Sequence, residues 1–87
     1  MAEQEQAEST EMSIGSIVKT ATQAVQQDGQ GNLEEAIKLY NTAASQLEKL
    51  IESGTGSPSD LEDWKSKVQQ YKTRVTYLQQ RLQEVKL

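Results

Sequence analysis

Eight apolar residues in the last third of the chain, Leu61, Trp64, Val68, Tyr71, Val75, Leu78, Leu82 and Val85, follow one another at steps of three and four in strict alternation. Only a helix brings such positions onto one face, because a turn of about 3.6 residues returns every third or fourth side chain to the same side. A heptad seam this long must pack along its whole length, and the natural crossing angle is about 20°. Shorter stripes precede it. Ile14, Ile17, Val18, Ala21, Ala24, Val25 and Asp28 share a face of a first helix predicted from about Thr10 to Asp28. Leu33, Ala36, Ile37, Tyr40, Ala43, Ala44, Leu47, Leu50 and Ile51 form the stripe of a second helix ending near Ser53.

The punctuation agrees with the stripes. Gly29 and Gly31 break the first helix, and Gly ends helices because it takes the left-handed conformation without a Cβ clash. Asn32 and Glu35 stand at capping-box spacing. The apolar-free segment from Ser53 to Ser59, with Gly54 as the stop, makes the second turn. Ser57, Pro58 and Asp60 then read as a hydroxyl N-cap, a first-turn proline and an acid at the third helical position. No run alternates with period two, so the fold class is all-α. Short loops make consecutive helices antiparallel neighbours, which gives an up-down-up three-helix bundle of spectrin-repeat-like architecture over residues 10–87. The polar and acidic residues 1–9 are expected to form a disordered tail.

Composition narrows the function. The chain has 87 residues, enough for one small domain, and 34% of them are apolar, against roughly 45–50% in an average globular chain. The core is therefore thin, and the alanines of the stripes let helix axes approach closely. No Cys or His is present, which excludes thiolate and imidazole metal sites and nucleophile–imidazole catalysis. No Gly-rich loop leads into Lys-Ser or Lys-Thr, so a phosphate cradle is absent. No metal or cofactor is expected. Net charge is −4, without the basic excess that nucleic acid requires, but it is uneven: residues 1–31 carry −4, residues 32–57 carry −2 and residues 58–87 carry +2. No apolar run reaches the length of about 18 residues that spans a membrane, so a cytoplasmic location is the expectation.

The stretch Ala24 to Ala43, with Asp28-Gly-Gln-Gly-Asn32-Leu-Glu-Glu35-Ala36-Ile-Lys-Leu-Tyr40 at its centre, resembles the signature joining the first two helices of the MIT (microtubule interacting and trafficking) domain. Tyr71, Arg74 and Leu78 resemble that family's closing pattern, and the resemblance runs from about Met12 to Leu87. The first half also looks like a tetratricopeptide repeat. A solenoid repeat, however, buries its face only against further copies at a period of roughly 34 residues, and no second copy is visible.

The resemblance implies a non-catalytic interaction module. It would bind short C-terminal motifs of ESCRT-III subunits and recruit its parent to endosomal or other membrane-remodelling sites, itself monomeric and only indirectly at the membrane. One motif class folds as a helix between the second and third helices. For that groove the sequence offers Leu39, Ala43, Gln46 and Leu50 on the second helix and Gln69, Lys72, Thr73 and Thr76 on the third. Lys72 and Thr73 depart from the family, whose ESCRT-disassembling ATPase has an apolar and an acidic residue there. A Lys at this place repels a basic motif residue and predicts a non-standard motif or a weakened groove. Another motif class lies extended between the first and third helices, where Ala21 and Val25 are the candidates. Asp28 and Arg74 match family positions and are expected to form an interhelical ion pair that fixes register. Tyr77 projects off the seam as a contact candidate, while Trp64 belongs to the core near the bundle end. A coiled-coil or homo-oligomeric structural role for the heptad helix is the alternative reading.

Overall fold

The computed structural model describes residues 14–54 and 56–86, the last of these by its backbone alone. Three helices account for nearly all of them: α1 (Ile14–Gly29), α2 (Leu33–Glu52) and α3 (Pro58–Lys86). No strand occurs among the described residues. The expected tail and the expected helix start near Thr10 lie outside them.

The turns follow from their residues, with one correction. Gly31, at φ +83°, and Gly54, at φ +73°, take the left-handed conformation, whereas Gly29 stays inside α1. Asn32 does not cap α2 with its side chain as the spacing predicted. Its Nδ2 donates instead to Gln27 Oε1 at 2.6 Å, so the amide ties the turn back to α1. Glu35 approaches Lys38 on its own helix rather than closing a capping box. At α3 the reciprocal pair does form. The Asp60 N–H donates to Ser57 Oγ at 3.1 Å and the Ser57 N–H to Asp60 Oδ2 at 3.4 Å, satisfying donors that a helix start leaves free.

The helices run up, down and up, with α2 in the middle of the packing. Ile17 and Ala21 of α1, Ala43, Ala44 and Leu47 of α2 and Val68 of α3 form one buried cluster, edged by Leu50, Ile51, Trp64 and Tyr71. Ala24, Ala36, Tyr40, Val75 and Leu78 form the second, edged by Leu33, Ile37 and Leu39. Five of these eleven buried residues are alanines, which is how a chain with few large apolar side chains closes a core. No Cα of α1 lies within 8 Å of a Cα of α3 among the described residues. Those two helices meet through side chains only, so the side of the bundle between them is an open furrow.

Two stripes are narrower than the sequence suggested. Ile14, Val18 and Val25 share the apolar face of the first helix in the sequence, but they are 42%, 52% and 58% exposed. The seven positions of that stripe span too wide an arc for a helix gripped from two sides. Val85 likewise leaves the seam, because Leu82 is the last residue of α3 that packs even in part.

Candidate functional site

Two electrostatic contacts define the edges of α3. On one edge, Arg74 grips Asp28 of α1 in a two-pronged ion pair, Nε to Oδ2 at 2.7 Å and Nη2 to Oδ1 at 2.8 Å. Tyr40 of α2 donates its hydroxyl to the same Oδ2 at 3.0 Å, and its ring lies 5.9 Å from that of Tyr71. One carboxylate thus joins all three helices. The Arg74 hydrogen bonds hold the Asp28 carboxyl below its ordinary value of 3.8, against burial, which pushes it up, and with further help from Tyr40. Burial first, and the Asp28 hydrogen bond second, push the Tyr40 hydroxyl up to about 12. On the other edge, Lys72 Nζ lies 2.7 Å from Glu48 Oε2 of α2.

These contacts fix the facing of every candidate. Glu48, Ile51 and Glu52 of α2 line a depression of about 340 Å³ together with Lys65 and Val68 of α3; this is the furrow between α2 and α3. Leu39 sits nine residues from Glu48, half a helical revolution away. Leu39, Gln46 and Leu50 therefore lie on the α1-facing edge of α2, not in the α2–α3 furrow for which they were candidates. Ala43 is wholly buried in the first cluster and offers a ligand no surface. Of the four candidates on α3, Lys72 lies across that furrow in its ion pair, and Thr76 donates its hydroxyl to the Lys72 carbonyl at 3.2 Å. Gln69 and Thr73 turn outward and line a different depression with Gln70, Arg74 and Tyr77. The residues missed were Glu48 and Ile51. Their register relative to Leu39 held the signal, since both stand on the opposite edge of the stripe.

The furrow between α1 and α3 is built differently. A right-handed helix advances clockwise when seen from its N-terminus. With α2 antiparallel and the edges of α3 marked by Arg74 and Lys72, that hand turns Ile14, Val18 and Val25 toward α3. Thr20 and Gln27 fall on the edge beside α2. Ala21, proposed with Val25 for this groove, is buried at the root of the row, while Val25 stands clear of it. Across the furrow Arg74 closes its upper end in the pair with Asp28, while Tyr77, 44% exposed, stands on the outward face of α3. The Arg74 guanidinium lies 4.7 Å from the centre of the Tyr77 ring, and Arg81 Nη1 donates to the Tyr77 hydroxyl at 3.0 Å. The α1 wall presents apolar surface, and among the described residues no group of three carboxylates gathers to hold a metal. No helix is long and apolar enough to cross a membrane among the described residues.

A small antiparallel bundle with open side furrows leaves packing that a partner segment can complete. The chain belongs to the MIT (microtubule interacting and transport) domain family, whose family model matches residues 18–80. That match takes in all of α2 and all but the first turn of α1 and the last residues of α3. No curated protein and no solved structure matches the chain.

Proposed function

We propose that this MIT domain binds a short peptide motif of ESCRT-III-type subunits in the furrow between α1 and α3, and so recruits its parent protein to endosomal or other membrane-remodelling sites. The domain acts as a cytoplasmic monomer, peripheral to the membrane and without catalytic residues of its own. The observation that carries this reading is the exposed row Ile14, Val18 and Val25, at 42%, 52% and 58% exposure, on the α3-facing edge of α1. Aliphatic side chains in a row along an unfilled furrow are what a docking segment covers.

The furrow between α2 and α3 supports the reading less well. The Lys72–Glu48 pair spans it, and a leucine-rich helix with a basic residue would have to displace that pair and meet the ammonium. An NMR titration of the isotope-labelled chain with ESCRT-III tail peptides tests the assignment. Backbone amides of residues 14–25 and 60–74 shift on the proposed reading. Shifts concentrated around Glu48, Ile51 and Lys65 would move the site to the other furrow, and absence of shifts with every peptide would remove the ESCRT-III reading.

A further inference from the structure

We infer that the α1–α3 furrow sets the direction of its occupant by charge order. The segment it takes is an amphipathic helix that places a Lys or Arg beside Asp63, toward the end where α1 and α3 begin, and an Asp or Glu beside Lys67, one turn further in. The inference rests on the furrow being the peptide site proposed above and adds which way round the peptide lies.

One contact sets the register of the two walls. α1 and α3 run the same way, and Arg74 is paired with Asp28. Fourteen residues separate Ile14 from Asp28, and fourteen separate Asp60 from Arg74. Equal rise per residue therefore sets Asp60 level with Ile14, Asp63 beside Val18, and Lys67 between Val18 and Val25. Asp60, Asp63 and Lys67 lie on the edge of α3 that carries Arg74, because steps of three, four and seven return to one side of a helix. Asp60 and Asp63 are exposed, whereas Lys67 is half-buried, as a lysine is when its stem lies along a wall and its ammonium reaches for water. Neither Asp63 nor Lys67 has an ion-pair partner among the described residues.

The α1 wall adds no charge. Of residues 14–27 only Lys19 is charged, and it stands about 100° round the helix from Val18, away from α3. Along the furrow the order is therefore negative at the open end and positive in the middle, and the Arg74–Asp28 pair, already neutralised, closes the far end. Asp63 and Lys67 are about 6 Å apart along the axis, one step of four residues, so a single charge pair at that spacing on the occupant reaches both. Lying one way the occupant meets opposite charge at both positions; turned end for end it meets like charge at both. Ile14, Val18 and Val25, at spacings of four and seven, match the apolar stripe of the same helix.

The test uses three synthetic helix-forming peptides that share one leucine stripe. On the flank the first carries Lys followed four residues on by Glu, the second Glu followed by Lys, and the third Gln at both places. A nitroxide at each N-terminus broadens nearby resonances of the isotope-labelled full chain and so reads direction, while fluorescence anisotropy reads affinity. The Lys-first peptide broadens residues around Ile14 and Asp60, and the Glu-first peptide those around Asp28 and Arg74. Each binds about fivefold more tightly than the Gln peptide at low salt, as two exposed ion pairs allow, and the advantage shrinks as salt rises. Exchanging the wall charges, Asp63→Lys with Lys67→Asp, inverts both directions with the helical circular dichroism unchanged, which a role confined to folding α3 would not do. Charged peptides that lie the same way round, or three equal affinities, with the footprint on the valine row retained, overturn the charge order and leave the peptide site standing. No binding by any peptide, or a footprint around Glu48 and Ile51, overturns both. Val18 and Val25 resonances that move on dilution of the chain alone, or when Glu3, Glu5, Glu8 and Glu11 are replaced by Gln, give the furrow to a second copy or to the chain's own N-terminal segment and overturn the inference.

Discussion

Replacing Asp28 by Ala removes the one carboxylate that all three helices share, and its cost can be built from the contacts. The Asp28 side chain is 12% exposed and its Arg74 partner 44% exposed. A hydrogen bond to a charged group is worth about 1.5–3 kcal/mol when shielded, but the half-exposed guanidinium regains water, which brings that pair down to about 0.5–1 kcal/mol. Tyr40 is buried, and leaving its hydroxyl without an acceptor adds about 1–2 kcal/mol. The total is about 1.5–3 kcal/mol, a large share of the roughly 4–13 kcal/mol that holds a domain of this size together. Urea denaturation followed by helical circular dichroism should show that loss with an unchanged slope, and the melting temperature should fall on the order of 10–20 °C. Combining Asp28→Ala with Arg74→Ala should cost less than the two separately, with a coupling energy of about 1 kcal/mol. An Asp28→Ala variant within about 0.5 kcal/mol of the parent, or strict additivity with Arg74→Ala, would refute the claim that this contact fixes the helix register.

A Cβ at Gly56 would lie 2.5 Å from the Trp64 ring, so Gly56→Ala should displace the indole, cost about 1–3 kcal/mol and change tryptophan fluorescence; an unaltered spectrum and urea midpoint would contradict the packing. Because the Asp28 carboxyl sits below its ordinary value of 3.8 in the fold, its stabilisation is complete above that pH and is lost as pH falls further, through the folded value. The Tyr40 hydroxyl, raised from 10.0 to about 12, contributes fully below pH 10 and loses its contribution between the two values. Urea midpoints measured across both windows check this, and a flat alkaline limb would count against the Tyr40–Asp28 hydrogen bond.

The heptad steps from Leu61 to Leu82 and the Ser57-Pro58 start leave little freedom for α3, which is why the number and order of helices are legible in the sequence. Periodicity reports that a residue shares a face, but not how wide the gripped part of that face is. Val18 therefore reads as core when it is the exposed wall of a furrow, whereas Val25 shares that stripe and is also a groove candidate in the sequence. The same blindness put Leu39 and Leu50 in the wrong groove: a stripe has two edges, and only a cross-helix contact such as Lys72 with Glu48 tells which neighbour each edge faces. Asn32 fails as a cap for a local reason, since donation from its Nδ2 to Gln27 turns the amide toward α1, an orientation the spacing rule does not see.

The central claim is that a partner segment occupies the α1–α3 furrow. It is tested most directly by measuring the affinity of a single ESCRT-III tail peptide for Val25→Glu and Lys72→Glu, two exposed substitutions on opposite edges of the bundle. The account predicts that Val25→Glu weakens binding at least about tenfold, the loss of roughly 1.4 kcal/mol, while Lys72→Glu leaves it within about twofold and both variants melt with the parent. Binding that survives Val25→Glu and changes with Lys72→Glu would contradict it.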